Sequence, residues 1–368
     1  MKKLSVFSLS VILVIGILSE FAQAAAGKEK WENLVAEAKK EGKITIYGQV
    51  GPDLRIALTK ALKEELGLDL NLVPGSGNEV ATRFRTELQA GLPSADILLG
   101  GSGTFLSVPE LYAVWDRLEP ELVLPEVLDT KVWPEGKLPF TDSEKRMIPL
   151  TLQMNQTIVV NTDIVKPGQI TSYRDLLNPQ WKGKIGMSDP TRAGASQTWA
   201  GLILTKIFGP VEGEAYFRKL VAQEPMLTRE ARLQGDWVAR GRYPISIGVT
   251  SQTSYDLQKN GAPIKRLAAE EGVLLTGGGS YLVLSKKRPH PKAAAAVLNW
   301  LLTARGQAIY SKGYGAPATR LGIKSEGVST NAFPLPGEKA YVQTAEEMIA
   351  GHKIAAAVAK RVFAPLLR

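Results

Sequence analysis

Hydrophobic and polar positions along the first hundred residues change period in a regular way. Trp31 to Lys40 repeats apolar residues at helical spacing, Gly42 breaks the run, and Ile44-Thr45-Ile46-Tyr47 is a continuous strand-like stretch. Gly48-Gln49-Val50-Gly51 forms a turn, with Pro52 suited to the first turn of a helix that extends to about Leu66. Leu68–Val73 predicts a second strand, Glu79–Ala90 a third helix, and Ala95–Leu99 a third strand. This β-α-β-α-β order implies a parallel sheet covered by helices on both faces. Each strand ends in a short glycine-rich turn: 48–51, 75–77 and 100–103.

Residues 109–145 are irregular and rich in proline, and alternation then resumes. Ile148–Asn161 carries two strand-like stretches, and Ile185–Met187 another. Helices are expected at Gln197–Ile207 and Glu212–Ala222, and strands at Pro244–Val249 and Tyr281–Ser285. Pro291–Thr303 is a strong helix, and the end of the chain is expected to be helical over about Gly337–Val362. No internal repeat is present.

The chain start departs from this pattern. Lys2 and Lys3 precede an apolar run, Val6–Leu18, and Ala22-Gln23-Ala24 follows as a small-residue cleavage site. The run is short for a membrane span, which takes about 20 residues. Residues 1–24 are therefore expected to be an export signal. The chain has no cysteine, which excludes disulfides, thiolate metal sites and thiol catalysis. It has only two histidines, His290 and His352, few for a metal hydrolase or a histidine acid–base enzyme. Net charge is +9, and +8 without residues 1–24, with the cations spread over amphipathic helices rather than clustered with aromatics. Nucleic acid is not an expected partner; an anionic ligand is compatible with the balance.

Open α/β sheets bind ligands at the carboxyl ends of their strands, where helix N-termini present free N–H groups. That places Gln49, Gly75, Ser76, Gly77, Gly101, Ser102 and Gly103 at one rim, with Tyr47 close by to pack an apolar part of a ligand. Neither glycine string is a dinucleotide fingerprint or a P-loop. The stretch GMSDPTRAGASQTW at 186–199 supplies an opposite wall. Thr191, Ser196 and Gln197 carry hydrogen-bonding groups, and Arg192 has the fork geometry that clamps carboxylates or phosphates. Arg192 pairing with Asp189 is the alternative. Thr250 and Ser251, in Thr250-Ser251-Gln252-Thr253-Ser254, form a further polar rim. No Gly-x-Ser-x-Gly elbow or histidine cluster suggests catalysis.

The strings WENLVAEAKKEGKITIYG (31–48), GSGNEVATRFRTELQAGLPSADILLGG (75–101), NTDIVKPGQITSYRDLLNPQWKGKIGMSDPTRAG (161–194) and HPKAAAAVLNWLLTARGQ (290–307) share a resemblance. Across residues 30–325 the chain resembles the periplasmic substrate-binding proteins of ABC importers, in the branch that includes the ferric-ion-binding proteins. The resemblance implies an α/β, two-lobed periplasmic-binding-protein fold of type II: two mixed sheets flanked by helices, with a hinge between lobes. One lobe would hold residues 25–150 plus 281–325, the other 151–280 plus 326–368. It implies a small-molecule ligand, permease subunits in the inner membrane, a monomeric periplasmic protein, no cofactor and no enzymatic activity. The chain departs from the iron-binding members, which hold Fe³⁺ with adjacent tyrosines: here that region is IGVTSQTSYD (247–256), without a tyrosine pair. A small polar, anionic organic solute is expected instead. Ferric iron completed by an exogenous anion, or an exported enzyme using the same cleft, are the alternatives.

Overall fold

The computed structural model describes residues 25–48, 50–75, 77–106, 112–154, 157–192, 195–249 and 251–367. The export signal expected over 1–24 lies outside them, as do Gln49, Ser76 and Thr250. A helix over 25–41, α1, leads into β1 (Lys43–Gly48). Helix α2 (Pro52–Ala61) starts on its proline and continues as a π-helical turn to Leu66, where Gly67 at φ 70° stops it. β2 (Asp69–Pro74), α3 (Gly77–Gln89) and β3 (Ile97–Gly100) complete the run expected from periodicity, and a short helix not expected there, α4 (Ser102–Leu106), follows within the third glycine turn. Among its described residues the proline-rich stretch holds only short helical turns, and the chain then enters β4 (Ile148–Pro149), β5 (Gln153–Met154) and β6 (Thr157–Asn161). Next come β7 (Ile185–Ser188), α5 (Ala195–Leu202), α6 (Gly209–Val221), β8 (Met226–Thr228), α7 (Ala231–Ala239), β9 (Ile245–Val249) and α8 (Ser251–Lys259). β10 (Ile264–Leu267), β11 (Val273–Thr276), β12 (Tyr281–Leu284), α9 (Pro291–Leu302), α10 (Ala304–Tyr314), β13 (Ala340–Val342) and α11 (Ala345–Val362) follow.

Two five-stranded sheets organise these elements, in the orders β2-β1-β3-β12-β4 and β10-β6-β9-β7-β8. Both are mixed: β12 runs antiparallel to β3, and β6 antiparallel to β9. Period-two alternation sorts the side chains of the first sheet. Ile44, Ile46, Leu99, Leu282 and Leu284 face a core shared with Leu54, Leu58, Val297 and Leu298. Tyr47, Leu98, Tyr281 and Val283 face the opposite side, against Phe84, Phe105 and Trp115. The second sheet buries Ile158, Val160, Ile185, Met187 and Ile247 against Trp199, Phe217 and the last helix. Full burial of each such side chain contributes roughly 1.5–3 kcal/mol, so each lobe has its own core.

A third, three-stranded sheet of order β13-β11-β5 joins them. β5 lies between β4 and β6, and β11 between β10 and β12, so two of the crossings between lobes pass through it. This is the hinge of the two-lobed fold.

One expected element is displaced. The C-terminal helix does not begin near Gly337, which has φ 78°; β13 comes first, and the helix starts at Ala345. Thr344 accepts from the Glu347 N–H, and the Glu347 carboxylate accepts from the Thr344 N–H, closing a capping box. Thr-x-x-Glu is a start signal present in the sequence. The pattern also passed over α7, α8, α10 and the short strands β8, β10 and β11.

Candidate functional site

The parallel strands β1, β2 and β3 end at one edge of the first sheet, with Gly48 beside Pro74 and Leu99. Packing accounts for part of the glycine there. A Cβ on Gly48 would lie 2.6 Å from the Leu99 Cβ, and one on Gly100 2.8 Å from the Phe105 ring. Gly75 donates its N–H to the Gly48 carbonyl (3.1 Å), tying the first two turns together. Gly101 and Gly103 differ: a Cβ on Gly101 meets nothing nearer than 3.7 Å, and one on Gly103 meets open space. Their backbone is approachable by a ligand. Gly77 begins α3, whose first N–H groups have no intrahelical partner.

Two residues assigned to this rim turn inward. Tyr47 is 1% exposed, and its hydroxyl is bonded to Glu87 (2.8 Å) and Ser94 (2.7 Å), with Arg83 over its ring. Strand alternation sends its side chain into the core beneath α3, so it offers no ligand surface. Ser102 is 2% exposed and donates its hydroxyl to the Met348 sulfur at 3.4 Å.

A second glycine run completes this edge and was missed in the sequence. Gly277-Gly278-Gly279 links β11 to β12. Gly277 and Gly279 donate their N–H groups to the hydroxyls of Tyr281 and Tyr314, both at 3.0 Å. A Cβ on Gly101 would approach the Gly278 carbonyl, and one on Gly278 the Gln153 amide. The hinge therefore abuts the third glycine turn. A glycine triplet directly before a strand was the available signal.

In the second lobe β7 runs parallel to both β8 and β9, so Ser188, Thr228 and Val249 also end at a common edge. Asp189 follows β7 with a side chain only 2% exposed. It accepts from the Thr191 N–H (2.9 Å) and hydroxyl (2.6 Å), and from the Arg229 Nε at 3.0 Å. Burial opposes its charge, but the Thr191 bonds and Arg229 outweigh that and hold the carboxyl below its ordinary range. The expected alternative partner for Arg192 is thus already engaged, by an arginine that sequence reasoning did not single out. Arg192 is exposed and has no recorded ion pair or hydrogen bond among the described residues.

Beneath this loop, Ser196 is buried and its hydroxyl is 2.6 Å from that of Ser188. Gly248 (φ 92°) lies against both: a Cβ there would come 2.6 Å from the Ser188 hydroxyl and 2.7 Å from that of Ser196. Ser196 therefore braces the loop, and Gln197, 7% exposed, is likewise turned inward. Ser251 is the first residue of α8, so the segment expected as a polar turn is mostly helix. Trp199, which closes the 186–199 stretch, is 1% exposed and edge-on to Tyr173 and Phe217 in the second core.

The last helix relates the two edges. Met348 contacts Ser102, whereas His352 Nε2 is 3.0 Å from the Thr198 hydroxyl on α5. Residues four apart share one helix face, about 5–6 Å from each other, so α4 and α5 lean on neighbouring points. A cavity of about 110 Å³ at the hinge, lined by Pro139, Phe140, Leu152 and Gln343 among others, touches neither edge. Among the described residues no group of three or more His, Cys, Asp or Glu could hold a metal ion.

Residues 57–334 match the family described as bacterial extracellular solute-binding protein. The chain belongs to that family. Iron uptake protein A1 of Synechocystis sp. strain PCC 6803 is 24% identical over 262 residues, 67% of this chain and 68% of that protein. The Trichodesmium protein IdiA (FutA), in complex with iron and citrate ligands, superposes with a TM-score of 0.72 at 19% identity, covering 87% of this chain and 99% of that one. AfuA of Actinobacillus pleuropneumoniae, with exogenous fructose-6-phosphate bound, superposes with a TM-score of 0.62 at 18% identity, covering 87% and 98%. This solute-binding protein thus has the type II periplasmic-binding-protein fold expected of it. Family and fold are those of the periplasmic components of ABC importers, not of enzymes, and imply a solute and a permease as partners. No helix among the described residues is long and apolar enough to cross a membrane.

Proposed function

We propose that this protein captures a small polar, anionic organic solute between its lobes and delivers it unchanged to an inner-membrane permease. It would act as a periplasmic monomer after loss of residues 1–24, with lobes formed by 25–150 plus 281–325 and by 151–280 plus 326–368. The observation carrying this reading is the engagement of Asp189 by Arg229 at 3.0 Å while Arg192 remains exposed. Arg192 on the loop and Arg229 just after β8 then place two guanidinium groups near the one carboxylate of Asp189. A guanidinium fork matches the oxygens of a carboxylate or phosphate, and the facing glycine turns offer backbone N–H groups at Gly77, Gly101 and Gly103, the Gly75 N–H being taken by the Gly48 carbonyl. The ligand set proposed is these glycines with Gln49, Ser76, Thr191, Arg192, Thr250 and Ser251, to which Arg229 is added. Citrate and fructose-6-phosphate, the guests of two relatives, are both oxyanions.

Calorimetry and thermal-shift screening of carboxylates, phosphonates and sugar phosphates test the proposal. At a hundred times its Kd a true ligand stabilises the fold by about 2.7 kcal/mol, several degrees in Tm. A flat response across all three classes would remove the reading. Ferric iron held with an exogenous anion is the second reading, favoured by the iron uptake relative and by the iron and citrate in IdiA. It requires the anion to supply most of the coordination shell. Colour on adding ferric citrate supports it; a colourless protein that still binds citrate alone counts against it.

A further inference from the structure

The first turns of α11 divide their contacts between the lobes. Toward the first lobe, Ala345 joins the core around Phe105 and Trp115, and its N–H donates to the Thr141 carbonyl. Glu346 accepts from the Ser143 N–H (2.7 Å) and hydroxyl (2.9 Å), and Met348 accepts from the Ser102 hydroxyl. Toward the second lobe, the next residue, Glu347, pairs with Lys206 at 2.5 Å. His352 meets Thr198, and the backbones of Gly351 and Gly201 pack so closely that a Cβ on Gly201 would lie 3.3 Å from the Gly351 carbonyl carbon. Ala355, Val358, Ala359 and Val362 then lie within the second core, and Arg361 reaches Glu214.

These attachments are unequal. The helix is held to the second lobe by several turns of buried packing, and to the first by one turn and a few polar contacts. Bending at the hinge therefore carries α11 with the second lobe and slides its first turn along the first. The contacts that slide end on Ser102, inside the third glycine turn. The contacts that hold end on Thr198 and Gly201, in the helix that follows the Arg192 loop. We propose that α11 is a bearing between the lobes, and that Glu346 and Met348 are positioning residues that set how the two edges of the site face each other. The proposal rests on the solute-binding reading for its purpose, but not on the identity of the solute.

The absence of cysteine permits a direct test on the full mature chain. Lys60→Cys on α2 and Lys219→Cys on α6 place one spin label on each lobe, and pulsed electron resonance gives their distance distribution in the free protein. Glu346→Gln and Met348→Ala each should shift the balance of lobe arrangements by about fivefold, the first with little change in Tm and the second with a lower Tm because Met348 is buried. Met348→Leu, of similar volume, should restore the parent distribution. Glu347→Gln should do the reverse, lowering Tm slightly through loss of the Lys206 ion pair while leaving the distances unchanged. An unchanged distribution in both Glu346→Gln and Met348→Ala overturns the proposal, and so does a shift in Glu347→Gln equal to theirs. Glu346→Gln alters an exposed side chain and is expected to fold even if Met348→Ala does not. Titrating the labelled parent with inorganic phosphate keeps the two readings apart. A lack of response bears on the anion reading alone, because the bearing is judged on the free protein.

Discussion

The two edges of the proposed site are built from different materials. The first lobe presents backbone: three glycine turns and the 277–279 run, with the nearby side chains of Tyr47 and Ser102 turned into the core. The second presents a loop whose shape depends on side chains, namely Asp189 drawing in Thr191 and Arg229, and Ser188 paired with Ser196. Backbone N–H groups suit any oxygen-rich guest, whereas a guanidinium selects charge and planarity. The contrast suggests that affinity is shared between the edges and that choice of solute resides in the second. Substitutions should accordingly be tolerated differently on the two sides.

The largest effect is expected where the second edge is braced. Gly248→Ala would place a methyl group 2.6 Å from the half-buried Ser188 hydroxyl and 2.7 Å from the buried Ser196 hydroxyl, at a φ of 92° that other residues rarely adopt. A loss of roughly 3 kcal/mol is expected, measurable by urea unfolding. The matching change on the first edge, Gly101→Ala, has 3.7 Å of clearance and should cost less than about 1 kcal/mol. Equal losses at the two glycines would erase the distinction between a packed edge and an open one.

Next comes binding itself. Arg192→Ala should weaken an anionic solute by roughly 10–100-fold, the usual worth of a charge-assisted pair of hydrogen bonds, with Tm of the free protein unchanged because the side chain is exposed. Calorimetry with the best compound from the screen decides it; full affinity would remove Arg192 from the site. Asp189→Ala should act the other way round. It removes the acceptor that shapes the loop, costing about 1–2 kcal/mol of stability and a severalfold loss of affinity. Because the Asp189 pKa is held low in the fold, its contribution is present above about pH 3.9, the unfolded value, and is lost as pH falls below that.

Much of the first lobe was legible because its signals are local. Ile44–Tyr47 and Ile97–Leu99 are buried strands, and the glycines after them mark the sheet edge. In the second lobe and at the hinge, pairing partners lie far apart in sequence. β11 needs Met154 on one side and Tyr341 on the other, so its short run carries no pattern of its own. Among site residues, position along the chain was a better guide than side-chain type. The loop at 189–192 lies where the spacing put it, but the inward turn of Tyr47, Ser102, Ser196 and Gln197 depends on strand parity and helix phase, which a hydroxyl or amide does not announce. Arg229 was invisible for a related reason. Only the parallel pairing of β7 with β8 brings it beside Asp189.

The smallest expected effect also separates the edges, through pH. His352 lies under α5 in the second lobe, and burial holds its pKa below the ordinary value. The folded state therefore keeps the imidazole neutral where the unfolded chain would protonate it. Above about pH 6.5, the unfolded value, this costs nothing. As pH falls from there toward the folded value, the unfolded state binds more protons and stability declines. The slope between pH 7 and 5 should flatten by up to about one proton equivalent in His352→Gln, whose amide can still meet the Thr198 hydroxyl. His290, by contrast, is bonded to the buried Asp96 at 2.9 Å, in the first lobe and away from the glycine turns. Unfolding curves of the parent and of His352→Gln across that range provide the check. If their slopes coincide, the imidazole is not shielded as the packing of α11 on α5 requires, and the second edge loses one of its supports.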